Sequence, residues 1–454
     1  MKIKNLLLLF LSILLVNCSK DNKKIDYIIF SGKIENPVID SLPIRDIDNK
    51  IFHTIHLDKN NSFSDTIFAP KGYYSLNDRQ NIIRLFLNPS MNLNSTISYN
   101  ENVPTLLFQN SGANENNYLQ QKVQLDKNLE KVKSHKYFLK LNEEDFLKLA
   151  DSINIEKTTF LKNQKNLDKD FLLYESFDLE SEKASFLQRY KHWRGEFIKN
   201  PDFKVSNNFP DPYKNIDISS EKLLAHPYYL RFLMQFIYSK TENNVSEDNA
   251  LLSLKIIDKE IKNQKVKDKL AYEITQFGIA QTKKLDEVYS KYMSIEKNED
   301  FRKEIEETYL NFKKISKGTI SPTFELYDIN NSMVTLESLR GNIVYIDIWA
   351  TWCIPCVNEI PALKALENEF KAKDIYFVSI CLKDSKEQFE KMVKEKELGG
   401  IQLFAPDENI SFFKEYFLGG IPRFILIDKV GRIIESNVFY PSNPKLKEQI
   451  LENL

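Results

Sequence analysis

The chain has 454 residues, 42% of them hydrophobic, and a formal net charge of −1. That length and apolar content exclude a disordered chain and imply roughly two or three cored domains. With 63 basic residues against 64 acidic ones, no general pull toward nucleic acid or anionic lipid is expected, and the lysines from Lys371 to Lys373 read as a solvated helix face.

In chain order, Lys2 and Lys4 form a positive entry to the apolar run Leu6–Val16, which is short for a bilayer span and reads as a signal peptide. The run ends Leu15-Val16-Asn17-Cys18 and is followed by Ser19-Lys20-Asp21, a pattern similar to a bacterial lipobox, in which cleavage precedes a diacylated cysteine. The expected organisation is a signal peptide over 1–17, then lipidated Cys18 and a polar tether over 18–26. Such an anchor holds a chain to a membrane through about 0.8 kcal/mol per buried methylene. The expected place is the bacterial cell envelope, facing the periplasm or the surface.

Residues 27–112 read as a β-rich domain. Tyr27–Ile34, Ile51–Leu57, Ser62–Ile67, Tyr73–Leu76, Ile83–Leu87 and Leu93–Tyr99 have strand character, separated by turns such as Asp58-Lys59-Asn60-Asn61 and Asn88-Pro89-Ser90. Short strands at this spacing suggest a small antiparallel sandwich or barrel. The period changes after Ser111-Gly112-Ala113. Leu119, Val123, Leu129 and Val132, then Phe146, Leu149, Ile153 and Phe160, then Leu251, Leu254, Ile257 and Ile261 follow helical spacing. Residues 113–312 therefore read as a helical domain, interrupted over 200–217 by Pro201, Pro210 and Pro212.

Lys313–Ser321 reads as a linker into a last domain over 313–454. Here strand and helix signals alternate: a strand at Asn342–Trp349, a helix from Cys353 to about Lys371, a strand at Ile375–Leu382, a helix at Lys386–Glu397, a hairpin of Arg423–Asp428 and Arg432–Asn437, and a helix over 444–454. That order implies an α/β sheet.

The chemistry lies in Trp349-Ala350-Thr351-Trp352-Cys353-Ile354-Pro355-Cys356. A zinc site lacks ligands, because no second Cys-x-x-Cys exists and His53, His56, His135, His192 and His226 all precede this domain. No metal and no other cofactor is expected. The pair sits where a buried strand meets a helix, which is the redox context. At a helix N-terminus, free N–H groups and the helix dipole favour a thiolate at Cys353, the attacking form. Cys356, a turn later, is placed to resolve a mixed disulfide, giving a Cys353–Cys356 disulfide. Pro355 stiffens the first helical turn at no hydrogen-bond cost. Cys381, in mid-strand, reads as a small core residue.

These residues resemble the TlpA/ResA-type thioredoxin-like thiol-disulfide oxidoreductases over about residues 317–450. Leu339-Arg340-Gly341-Asn342-Ile343-Val344 is similar to the family's entry into the active-site strand, Trp349–Cys356 to its signature, and Gly420-Ile421-Pro422-Arg423-Phe424 to its cis-proline loop. The fold implied is multidomain: a C-terminal α/β thioredoxin-like fold preceded by a small antiparallel β domain and a helical domain. The resemblance implies a cis Pro422 facing the sulfurs, with the backbone of Ile421 free to pair with an extended client. Arg423 stands where the family usually has Thr, which brings a long cation near the site. Glu359 matches a family glutamate near the cysteines, and a buried carboxylate there would have a raised pKa. Asp347 matches the buried aspartate of thioredoxin itself, an expected proton acceptor for Cys356. Trp349, Trp352, Ile354 and Pro355 are expected to shape the substrate surface, and Pro361 to kink the helix.

The expected function is a membrane-anchored envelope oxidoreductase that reduces client protein disulfides, with apocytochrome c among the candidate clients and a membrane thiol reductase as electron donor. Two other readings remain: a nutrient-binding or assembly lipoprotein with an accessory redox domain, and a peroxiredoxin-like peroxide reductase. Against the latter, the Pro-x-x-x-Thr-x-x-Cys order is absent around Thr351. The lipobox, β domain and helical spacer resemble a class of lipoproteins common in Bacteroidetes-like bacteria. His53 and His56 read as surface or satisfied strand residues, and the stretch from His226 to Tyr238 as helix core.

Overall fold

The computed structural model describes residues 26–37, 39–77, 82–98, 105–241, 248–406 and 410–454. The expected signal peptide and lipidated Cys18 lie outside the described residues. The chain forms two compact units, one of residues up to Asp217 with Lys222–Tyr229, the other of Ile218–Glu221 with Leu230–Leu454.

The first unit opens with β1 (Ile28–Glu35), β2 (Ser41–Arg45), β3 (Ile51–His56), β4 (Ser62–Ile67), β5 (Gly72–Asn77), β6 (Ile82–Leu87), β7 (Asn92–Ser98) and β8 (Thr105–Asn110). These make two four-stranded sheets, β4-β1-β7-β8 and β3-β2-β5-β6. All their ladders are antiparallel except β1–β7, which runs parallel from Ile29↔Asn92 to Glu35↔Ser98. The antiparallel arrangement expected from the strand spacing holds for the other ladders, and this one pair departs from it. A parallel neighbour needs a long crossover, and β2 to β6 supply it. Gly32 permits the approach, since a Cβ on it would stand 2.4 Å from the Ser95 carbonyl oxygen. Two strands escape the sequence pattern. Pro43 interrupts β2, and β8 buries only Phe108, so it shows no alternation.

Four helices follow: α1 (Ala113–Lys133), α2 (His135–Phe138), α3 (Glu143–Lys162) and α4 (Lys169–Phe197). α1 is fastened to the sheets by two asparagines. Asn116 donates to the carbonyl of Phe86 at 3.0 Å and accepts its N–H at 2.9 Å; Asn117 does the same for Phe108, at 2.8 and 2.9 Å. Each side chain thus replaces a strand neighbour for one residue. The helices pack through Phe138, Phe146, Phe186 and Tyr190. Buried charge is paired between them: Lys157 with Asp126 and Glu182, and Lys122 with Glu175 at 2.5 Å and Asp178 at 3.2 Å.

The second unit contains α5 (Tyr229–Thr241), whose first residue falls in the first unit, then α6 (Asn249–Glu260), α7 (Gln264–Gly278), α8 (Leu285–Ile295) and α9 (Glu299–Lys314). Asp248, Asn263 and Asn298 cap α6, α7 and α9 by accepting N–H groups of the first turn. The expected linker is tied down: Gly318 donates to Ile433, Ile433 to Thr319 and Ser321 to Gly431.

The unit continues with β9 (Glu325–Asp328), β10 (Met333–Thr335), β11 (Ile343–Trp349), α10 (Ile354–Glu369), β12 (Ile375–Leu382), α11 (Lys386–Glu395), β13 (Ile401–Ala405), α12 (Ser411–Glu415), β14 (Arg423–Ile427), β15 (Ile433–Glu435) and α13 (Pro444–Leu451). The sheet order is β10-β9-β13-β12-β11-β14-β15, parallel in β13-β12-β11 and antiparallel elsewhere. Every residue of β11 is buried, as a central strand covered on both faces requires. Its alternate residues part company. Ile343 and Tyr345 pack with Leu363 and Leu366 of α10 and Leu446 of α13; Val344, Ile346 and Ile348 pack with Phe412 of α12. β9, β10, β13 and α12, three to five residues each, were too short to read from sequence.

Candidate redox site

β11 delivers the chain to the turn Ala350-Thr351-Trp352, and α10 begins directly after it. Cys353 is the N-cap of α10, in extended conformation, and its sulfur accepts the N–H of Cys356 at 3.3 Å. Pro355 lies in the first turn, where no N–H is missed, and Pro361 lies inside the helix. The two sulfurs stand at bonding distance, 2.00 Å, with the Cα atoms 5.3 Å apart. Cys353 is 4% exposed and Cys356 5%. A thiolate at Cys353 would meet the free N–H groups and positive end of α10, which lower a thiol pKa.

Around the sulfurs the surface is apolar. Trp352 is 56% exposed and Ile354 72%, and Pro355 is exposed beside them. Ile421 and Pro422 are half-buried, and the peptide joining them is cis. Trp349 is not part of this surface. At 2% exposure it packs with Ala350, both cysteines, Cys381 and Phe389 beneath the site. The expectation of a surface tryptophan fails because Trp349 still belongs to β11, paired with Cys381 of β12. Cys381 is wholly buried, and burial first, then the Asp384 carboxylate, push its thiol up. Arg423 turns toward the hairpin, its Nε donating to the Ser436 carbonyl at 2.9 Å. Burial pulls its guanidinium pKa down.

Asp347 lies on the face of β11 that alternation assigns to α10, between Ser379 of β12 and Phe424 of β14. Ser379 Oγ donates to its Oδ2 at 3.4 Å. Burial pushes its carboxyl up to about 7; Ser379 opposes this, and the charges of Glu367 and Glu359 add to it. Glu367, further along α10, is likewise pushed up to about 7 by burial, against Lys364. Glu359 departs from expectation. It is only half-buried, and both oxygens are engaged by Ser442, from its N–H and its hydroxyl, each at 2.8 Å. Its place one position off the buried stripe of Cys356 and Ile360 turns it to that loop.

Sequence reading missed Ser379, Ser442 and Asp384. Asp384 Oδ2 accepts the N–H of Thr351 at 2.7 Å, and the one local signal was the Asp384-Ser385 pair at a helix start. Outside this site, His53 of β3 pairs with Asp65 of β4 at 3.3 Å, an edge strand of each of the two sheets, while His226 is buried, 3.2 Å from Asp178, among Tyr73, Tyr174 and Phe177. Among the described residues no group of three His, Cys, Asp or Glu side chains is arranged to hold a metal, and no helix is long and apolar enough to cross a membrane.

Residues 316–453 match the Redoxin family model. Thiol-disulfide oxidoreductase ResA of Bacillus cereus is 27% identical over 138 residues, 30% of this chain and 76% of that protein. ResA of Bacillus subtilis is 26% identical over 123 residues, 27% of this chain and 68% of that protein. A crystal structure of a thiol-disulfide oxidoreductase from Bacteroides vulgatus aligns with 30% identity over 31% of this chain and 99% of that one, at a TM-score of 0.30. The strand, the cysteine pair at the start of α10, the Redoxin model and the ResA relatives coincide on the same stretch, and residues 316–453 form a TlpA/ResA-type thioredoxin-like domain of thiol-disulfide oxidoreductase class.

Proposed function

We propose that the protein is a lipid-anchored oxidoreductase of the bacterial envelope that reduces disulfides in client proteins. The observation that carries this is Cys353 as N-cap of α10, its sulfur bonded to the Cys356 N–H. In the reduced protein the Cys353 thiolate attacks one sulfur of a client disulfide. The other client sulfur leaves as a thiolate and takes a proton, and a mixed disulfide remains. Cys356 then loses its proton, with Asp347 as the acceptor under the helix, and attacks Cys353. The second client thiol is released and the Cys353–Cys356 disulfide forms. A membrane thiol reductase returns two electrons and two protons.

Trp352, Ile354 and Pro355 offer an apolar landing surface, and the backbone of Ile421 pairs with an extended client strand. Apocytochrome c is one client of suitable chemistry. The anchor rests on the sequence around Cys18 alone. The test is the reduction potential of the cysteine pair, measured by equilibration with glutathione buffers. A value near or below about −250 mV supports a reductase; a value near about −120 mV overturns that direction and marks an oxidant or isomerase.

A further inference from the structure

We propose that Asp384, in the loop between β12 and α11, is a positioning residue that sets the backbone entering the attacking cysteine. Its Oδ2 accepts the N–H of Thr351 at 2.7 Å and stands 3.8 Å from the Cys381 thiol, while its Oδ1 accepts the N–H of Ser385 at 2.8 Å. One residue earlier, the carbonyl of Lys383 accepts the indole N–H of Trp352 at 2.9 Å. Two consecutive residues of one loop thus hold two consecutive residues of the other, immediately before Cys353.

The holding loop is itself fixed. Lys383 has φ 53°, a left-handed conformation uncommon for a residue with a side chain. Ser385 caps α11 by accepting the N–H of Gln388 at 3.1 Å. Asp384 therefore stands between the end of β12 and a capped helix.

The held turn needs such support. β11 ends at Trp349 and α10 begins at Ile354, so neither sheet nor helix takes the Thr351 N–H. A carboxylate acceptor makes the stronger kind of hydrogen bond, and without it a half-buried donor is left unpaired. The direction in which Thr351 and Trp352 deliver the chain decides whether Cys353 reaches the N-cap position where its sulfur meets the Cys356 N–H. Asp384 touches neither sulfur, so it acts through Cys353, on thiolate population and attack rate.

This inference rests on Cys353 being the attacking cysteine. In the full reduced chain, iodoacetamide alkylation of each cysteine is followed by peptide mass against pH. Asp384→Ala is expected to raise the apparent pKa of Cys353 and slow its alkylation at pH 7 roughly five- to twentyfold. Asp384→Asn keeps an oxygen for Thr351 and is expected to return the rate to within about threefold of wild type. Should the alanine variant not fold, Asp384→Ser, too short to reach Thr351, carries the same expectation. A wild-type profile in Asp384→Ala, with at most a lowered melting temperature, overturns the proposal. So does an Asp384→Asn loss as large as that of alanine, which would assign the effect to charge. If Cys353 of the wild type reacts no faster than Cys356, the attacking role itself falls, and the proposal with it.

Discussion

Ser379 holds its hydroxyl 3.4 Å from Oδ2 of Asp347, across the β11–β12 ladder, with both side chains buried. One hydroxyl is a weak counterpart for a carboxylate in the sheet interior, and burial accordingly raises the Asp347 pKa to about 7. In the unfolded chain the group titrates near 3.9. The folded protein therefore holds the extra proton between those values, and its stability contribution is full below about pH 4 and lost as pH rises through 7. The difference is on the order of 4 kcal/mol at most. Asp347→Asn is expected to match wild type in urea at pH 4 and to be more stable at pH 8. Parallel stability curves for the two proteins from pH 4 to pH 8 would contradict this.

Cys356→Ser keeps the attacking sulfur and removes the resolving one. A client disulfide such as that of insulin should then be caught as a mixed disulfide at Cys353, visible as an adduct in the intact mass, with turnover lowered at least roughly a hundredfold. Cys353→Ser should form no such adduct, because the remaining thiol at Cys356 does not occupy the N-cap.

Lys157 is buried and paired with Asp126 of α1 and Glu182 of α4. Removing its charge leaves Asp126 and Glu182 to Lys133, which also contacts both. Both carboxylates reach solvent, so Lys157→Met should cost about 1–3 kcal/mol, read as an earlier first transition in urea. A Lys157→Met, Asp126→Leu, Glu182→Leu triple variant should recover part of that loss. A triple variant less stable than the single one would mean the pairs stabilise beyond their own burial cost.

Asn116 fills both hydrogen-bonding groups of Phe86. Asn116→Ala leaves a buried N–H and a buried carbonyl unpaired, an expected loss of about 2–4 kcal/mol. Hydrogen exchange should report the Phe86 amide opening faster in the variant. Unchanged protection at Phe86 would show that β6 finds its partners elsewhere.

The sequence by itself determined the reaction class and the strand–turn–helix unit that carries it. A continuous apolar run with one aspartate, the Cys353-Ile354-Pro355-Cys356 spacing and a Pro at the first turn are local features. The physics they invoke, strand burial and helix N-terminal electrostatics, is local too. β12 fell at Ile375–Leu382, as the apolar run indicated. Tertiary structure alone decided what meets across the fold. It turned Trp349 inward against Phe389, drew Glu359 to Ser442 across 83 positions, and set Asp384 under the amide of Thr351, 33 positions away. It also ran β7 parallel to β1. Such choices depend on which faces are covered after the chain closes on itself, and a periodicity of two or 3.6 residues carries no record of the partner.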